Sequence, residues 1–347
     1  MDLIHPPSKA DLVEAVREAN ATASRVLIVG GRRHIDKGNP VEVDAELWTT
    51  QLDRLVAYEP AEMIVVAEAG MRVRDLNRTL AEGGQEWPSD AQDDATVGGV
   101  IASGASSPRR LKVGSLRDTV LEAELVTGDG RPARSGARTV KNVTGYDLHK
   151  LVAGSLGTLA VLVQVALKVR PLPQASRTLR FEGGLGIARS LLGAVPGAAA
   201  VLATSAGVAL RLEGWSEEVD EQSAAAETIA PALGAEGGPF PSQRPWEAEP
   251  TVAEVAVAPS KLEVAVRDDA WGALAGVGLA WVGLGSADGD LAALRERVAQ
   301  AGGIAPVIRG SGGLGDASLP ATKVHRRLKE AFDPNGVLAP GRGWCGV

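Results

Sequence analysis

Between Gln85 and Gly157 the small residues of this sequence fall in ordered clusters whose spacing suits a phosphorylated ligand. Trp87-Pro88-Ser89-Asp90 is followed by Ala95-Thr96-Val97-Gly98-Gly99, and then by Ala102-Ser103-Gly104-Ala105-Ser106. Arg109, Arg110 and Lys112 come next, ahead of Gly114-Ser115-Leu116-Arg117-Asp118. Small side chains let backbone N–H groups approach a diphosphate, and a helix opening at Gly98-Gly99 would turn its positive end toward it. From spacing alone, an anion cradle and a glycine-rich loop region with solvated basic residues fit equally well.

Other chemistry is weaker. Gly310–Gly315, GSGGLG, matches the dinucleotide pattern GxGxxG, but a chain with 42 glycines in 347 residues yields such a match by chance. Pro320 follows and no useful amphipathic helix opens there, so the segment reads as a loop. His5, His34, His149 and His325 lie far apart, without metal-ligand spacing, and no metal site is expected. His149 reads as structural or exposed, and His325 as solvent-facing or at an interface.

The elements that must position these residues are legible in part. Ser8 caps a helix whose Leu12, Val13, Val16 and Ala19 share a face. An apolar run, Arg25–Val29, leads into Gly30-Gly31. A second helix fits Val73–Glu82 through Val73, Leu76 and Leu80. Strands fit Met63–Glu68, Leu121–Val126 (before a Gly128-Asp129-Gly130 turn) and Thr158–Val169, with Pro171 and Pro173 as a boundary. Residues 176–305 alternate helix-like 185–195, 217–230 and 290–301 with strand-like 178–182, 208–213 and 262–267, the pattern of a small α+β lobe. Gln243–Pro250 reads as a surface loop, and HRRLKEAFDPNGVLAPGR as a basic helix stopped by Asp333-Pro334 and followed by a tight turn.

Together GGQEWPSD, DDATVGGVIASGASSPRR, GSLRDTVLEAELVTGDG and KNVTGYDLHKLVAGSLGTLAVLVQVALKVRPLP closely resemble the FAD-binding PCMH-type domain of the vanillyl-alcohol oxidase/p-cresol methylhydroxylase superfamily. Within it, the sequence resembles the E-subunit family of bacterial glycolate oxidases. EAGMRVRDLNRTLAEGGQ, GGRRHIDKGNP and the terminal APGR segment agree, and the likeness covers about residues 5–175 and 320–345.

The resemblance implies an α+β fold: a PCMH-type FAD-binding domain over 1–175 (two α/β subdomains, about 1–57 and 58–175), a cap lobe over 176–305 and a C-terminal return over 306–347. It places Gly30, Gly31, Arg32, Arg33 and His34 against the FAD diphosphate, although Arg32 and Arg33 replace a small pair. His34 stands one position late for a covalent flavin bond, so FAD is expected to be non-covalent. The resemblance puts Pro88, Ser89, Asp90, Thr96, Val97, Gly98 and Gly99 on the second loop, with Ser103, Gly104 and Ser106 near the flavin ring or ribityl chain. Gly154, Gly157 and Leu159 fall on the adenine side, and Lys141 on the segment before it; Tyr146 reads as a packed corner residue.

Oxidation of a 2-hydroxy acid needs a hydride acceptor, a base and a cation for the carboxylate. Arg109 and Arg110 are the candidate catalytic cations, or else a surface pair; no base stands out. Residues 176–305 contain no His, unlike the His-rich cap of the family's catalytic D subunits. The leading expectation is an FAD subunit that passes electrons to a Cys-rich iron–sulfur partner beside a larger FAD-binding catalytic subunit. A stand-alone flavoenzyme, and a scaffold that has lost FAD, stay open. One cysteine, Cys345, rules out a four-cysteine cluster held by this chain alone, and 36 basic against 43 acidic residues argue against nucleic-acid binding. With no signal peptide and no spanning helix evident, a cytoplasmic protein is expected, membrane-associated only through partners.

Overall fold

The computed structural model describes residues 1–138, 147–236, 240–241, 244–266, 270–285, 287–315 and 322–346. Lys141 and Tyr146 lie outside them. The chain divides into two compact units: Met1–Ser107, Ser115–Leu172 and Asp316–Val347 form the first, and Pro108–Gly114 with Pro173–Gly315 the second.

In the first unit, strands β1 (Asp2–Ile4), β2 (Val26–Val29) and β3 (Ala45–Trp48) form a parallel sheet in the order β1-β3-β2. Helix α1 (Lys9–Thr22) links the first two strands, and Ser8 Oγ accepts the Asp11 amide at its start. Strands β4 (Leu55–Glu59), β5 (Ile64–Glu68), β7 (Val120–Thr127), β8 (Pro132–Gly136) and β9 (Ala160–Lys168) form an antiparallel sheet ordered β4-β5-β9-β7-β8. Two-residue strands β6 (Gln85–Glu86) and β10 (Arg170–Pro171) pair with each other.

β9 is apolar at almost every position because both of its faces are covered. Val161 and Val163 pack with Leu12, Val16 and Leu47, whereas Leu162, Val165 and Leu167 pack with Leu76 and Leu80 of α2 (Val73–Glu82) and Val100 of α3 (Val97–Ser103). The sandwiched sheet gives α3 a rigid seat.

In the second unit, an eight-stranded antiparallel sheet runs β14-β11-β13-β12-β16-β17-β15-β18 among the described residues. In chain order these strands are β11 (Ala175–Phe181), β12 (Ala200–Thr204), β13 (Gly207–Gly214), β14 (Gly234–Glu236), β15 (Thr251–Ala256), β16 (Trp271–Leu274), β17 (Leu279–Leu284) and β18 (Val307–Arg309). Segment α4 (Arg110–Val113) belongs here too. Helices α5 (Leu185–Ala194), α6 (Ser216–Glu227) and α7 (Ala287–Gln300) contribute Leu191, Val219 and Leu294 to one core cluster of the sheet. A second cluster joins Phe240, Trp246 and Trp281.

Three expectations need correction. The strand expected at 262–267 is a 3-10 turn, Pro259–Val264, because Leu262 and Ala265 bury themselves at a helical rather than an alternating interval. Within the expected surface loop 243–250, Trp246 is buried and stacks on Trp281 with ring centroids 5.4 Å apart. Residues 307–309 pair with β15 in the second sheet, so the chain rejoins the first unit only after Gly315.

The C-terminal segment then builds back onto the first unit. Helix α8 (Thr322–Phe332) ends at Asp333, Leu338 bridges Val26 in parallel, and the Ala339 amide donates to Val26 O at 2.9 Å. Lys329, on the helix that reads as basic, is buried. Its ammonium donates to Asp333 Oδ2 (2.7 Å), Thr158 O (2.8 Å) and Leu338 O (2.7 Å), which uses all three protons.

Candidate functional site

A cleft of about 700 Å³, its open mouth included, lies within the first unit. Gly30, Gly31, Arg32, Arg33 and His34 after β2 form one wall; Thr96, Gly98, Gly99 and Ser103 form another. Gly157 and Leu156 close one side, Thr49, Ala69, Ala160 and Leu162 supply small or apolar floor, and Arg342 enters from the C-terminal return.

Thr96 ties two of the walls together. It is 1 % exposed, and its Oγ1 accepts the Gly99 amide as the N-cap of α3 and the Gly31 amide of the facing loop, both at 3.3 Å. This contact demands glycine: a Cβ on Gly30 would sit 2.2 Å from Thr96 Oγ1. Gly98 is pressed equally hard, since its Cβ would come within 2.7 Å of Ala69 Cβ. These glycines therefore let protein backbone segments meet, and so shape the cleft.

The start of α3 differs from the sequence reading. The helix opens at Val97, and its first amides are already engaged: Val97 N with Met71 O, Gly98 N with Ala69 O, and Gly99 N with Thr96 Oγ1. α3 therefore acts as a wall of the cleft, and its amides do not point an open positive end at a ligand.

The two arginines in the first loop are both paired. Arg32 keeps the left-handed conformation (φ 58°), donates from Nη1 to both carboxylate oxygens of buried Glu46 (2.9 and 2.7 Å), and lies 5.4 Å from the Trp48 ring centre. Trp48 Nε1 donates to the same carboxylate at 3.0 Å, and His5 stacks on the indole. Arg33 pairs with Asp94. Both guanidiniums fix the loop to its neighbours.

The structure brings together ten of the expected residues: Gly30, Gly31, Arg32, Arg33, His34, Thr96, Gly98, Gly99, Ser103 and Gly157. Pro88, Ser89, Asp90, Val97, Gly104, Ser106, Gly154 and Leu159 do not line the cleft. Some of these support it. Asp90 accepts a hydrogen bond from Ser107, Gly104 and Gly154 pack against each other, and the Gly154 amide donates to Ile101 O at 3.0 Å. Arg109 and Arg110 belong to the second unit and are not cleft residues. Arg109 is buried, and its Nη1 reaches both oxygens of Glu213, 1 % exposed, at 3.1 and 3.3 Å.

His149 is buried, and burial pushes its imidazole below the ordinary value; Ser135 Oγ lies 3.2 Å from Nδ1. Among the described residues no group of three or more His, Cys, Asp or Glu is placed to hold a metal, and no helix is long and apolar enough to cross a membrane.

Sequence reasoning missed Arg342 together with the small and apolar floor. Arg342 is 7 % exposed; its Nη2 donates to Ile35 O (2.6 Å) and Lys37 O (2.8 Å), and its Nε has no hydrogen-bond partner among the described residues. The signal was present in the terminal APGR, which was read as a turn and as part of the family likeness, with no role given to its arginine.

A Gly-walled cleft with a small, apolar floor and a buried guanidinium at its edge defines a site for a large anionic cofactor, and residues 3–136 match the family described as FAD binding domain. The chain is 31% identical over 356 residues to glycolate oxidase subunit GlcE of Escherichia coli (strain K12), covering 95% of this chain and 96% of that protein. D-lactate dehydrogenase of Archaeoglobus fulgidus is 33% identical over 168 residues, which is 48% of this chain and 38% of that one. The solved alkyldihydroxyacetonephosphate synthase superposes with a TM-score of 0.71 at 16% identity, covering 97% of this chain and 75% of that structure, a likeness of fold. The chain belongs to the FAD-binding PCMH-type family of flavin-dependent oxidoreductases, with FAD as its cofactor. The cleft fits that group: Arg342 at its edge is a buried cation whose Nε has no hydrogen-bond partner among the described residues.

Proposed function

We propose that this chain is the FAD-binding subunit of a 2-hydroxy-acid oxidase or dehydrogenase complex of the glycolate type. One observation carries the reading: the likeness to a glycolate oxidase subunit runs over 95% of this chain, whereas the likeness to the D-lactate dehydrogenase covers about half of it. When bound, FAD supplies an acceptor for a hydride at N5 and a donor of single electrons to a further centre.

The chain's own residues hold the cofactor. Gly30, Gly31 and His34 would lie on its diphosphate side, and Thr96 ties that loop to the start of α3. Ala69, Ala160 and Leu162 give the cleft an apolar lining. The second unit offers no histidine for substrate chemistry through residues 176–305, and Arg109, the candidate carboxylate cation, is held by Glu213. This favours an electron-relay role over self-sufficient oxidation. If those electrons enter an iron–sulfur centre, a separate Cys-rich subunit holds it, because the single cysteine of this chain cannot provide four cluster ligands. A larger FAD subunit carries the substrate chemistry.

Anaerobic mixing with glycolate or D-lactate tests the reading. Flavin absorbance in the isolated chain should persist, and that of the chain assembled with its partner subunits should bleach. Bleaching in the isolated chain would instead identify a stand-alone enzyme.

A further inference from the structure

Around the cleft, the obvious cations are already balanced. Arg32 faces Glu46 and Arg33 faces Asp94, so neither brings a net positive charge to a ligand. Arg342 differs. It is more than nine-tenths buried, its Nη2 hydrogen bonds go to two neutral carbonyls of the loop after Gly30-Gly31, and its Nε has no hydrogen-bond partner among the described residues. Asp36, on the exposed stretch of that loop, is the carboxylate that acts on it electrostatically. Burying a guanidinium with part of its donor set unused is costly unless an anion meets it. Oxidised FAD carries its charge on the diphosphate, and its ring is neutral.

We propose that Arg342 is a cofactor-binding residue whose guanidinium, at the edge of the cleft, pairs with the FAD diphosphate while its Nη2 holds Ile35 O and Lys37 O. One guanidinium then does two things: it sets the path of the 32–37 loop, and it supplies charge that Arg32 and Arg33 cannot. The C-terminal return makes this possible. Ala339 takes the left-handed conformation (φ 40°), the Ala339 amide is held by Val26 O, and the Arg342 amide closes a turn on Ala339 O at 3.1 Å. The cleft is thus completed by a residue more than 300 positions from the loop it serves.

The inference rests on the proposed reading only for the cofactor, so failure of the hydroxy-acid experiment would leave it standing. It is tested by binding FAD and riboflavin, which lacks the diphosphate, to the flavin-free chain and following flavin fluorescence. In Arg342→Gln the FAD dissociation constant should rise roughly 10–100-fold, the scale of a lost charge-assisted hydrogen bond, while that of riboflavin changes by no more than about threefold. Arg342→Lys should keep part of the preference for FAD. In the unaltered flavin-free chain, inorganic pyrophosphate should raise the thermal midpoint, a readout that does not depend on either variant folding. Equal losses for FAD and riboflavin would show a purely structural role and overturn the proposal. So would an unchanged FAD affinity, or no response to pyrophosphate.

Discussion

Replacing Lys329 by Met should open the C-terminal return and weaken FAD binding from a distance. The ammonium makes three contacts of 2.7–2.8 Å, and one of them is to Asp333, which is 2 % exposed. Met fills the aliphatic stem but leaves a buried carboxylate without its cation. Breaking such a pair costs about 3–5 kcal/mol. Asp333 keeps the amides of Val337 (2.9 Å) and Leu338 (2.8 Å), which places the loss toward the lower end, about 3 kcal/mol. Hydrogen exchange is the suitable assay, because opening can be local in a chain of two units. A loss of that size should speed exchange at Val337 and Leu338 by roughly 100-fold or more. Lys329→Met with Asp333→Asn should cost clearly less than the sum of the two single changes, since the double variant removes the unpaired charge. An exchange change under about fivefold, or strictly additive single effects, would refute the idea that this pair latches the return.

Thr96→Ala should cost about 1 kcal/mol as a lost helix cap and also lower FAD affinity, since the same hydroxyl accepts Gly31 N; urea unfolding and FAD titration read the two effects. Arg32→Gly should destabilise the first unit in spite of the relaxed φ, because Glu46 is left buried without its guanidinium. Adding Glu46→Gln should recover most of the loss in the same unfolding assay. For His149, burial lowers the folded-state pKa below the ordinary 6.5, so below that pH the unfolded chain binds more protons. Its stabilising effect is complete above pH 6.5 and is lost as the pH falls toward the lowered value; His149→Asn should flatten that part of the stability profile.

What could be seen in the sequence was whatever local chemistry enforces. Ser8 announces α1, and Val73, Leu76 and Leu80 announce α2, because capping and helical periodicity lie within a few residues. Thr96 and Gly98 stood out because a tight turn into a helix selects such residues. Arg342 did not, since its meaning depends on Ile35 and Lys37 at the other end of the chain. Trp246 was lost for a similar reason: its neighbours are polar and acidic, yet Gly272 opens a space for the indole, where a Cβ would lie 2.0 Å from the ring. Nothing local could show that Pro108–Gly114 joins the second unit, where Arg109 and Arg211 both reach Glu213.

Arg32 shows how a residue other than glycine can hold a left-handed turn. A left-handed backbone at a non-glycine residue costs about 1–2 kcal/mol. An ordinary exposed ion pair would not offset that, since such pairs contribute about 0–1 kcal/mol. Here the partner Glu46 is 3 % exposed and shares its oxygens with Trp48 Nε1, and the guanidinium also lies over the indole. A charge-assisted pair with a buried carboxylate, together with a cation–π contact of about 0.5–1 kcal/mol, is large enough to hold the strained turn. The loop can thus keep a glycine-like path without a glycine at position 32. What it gives up is positive charge for the ligand, because Glu46 neutralises Arg32 and Asp94 neutralises Arg33. A diphosphate bound there must draw its counter-charge from elsewhere, and the buried guanidinium that the C-terminal return brings to the cleft is Arg342.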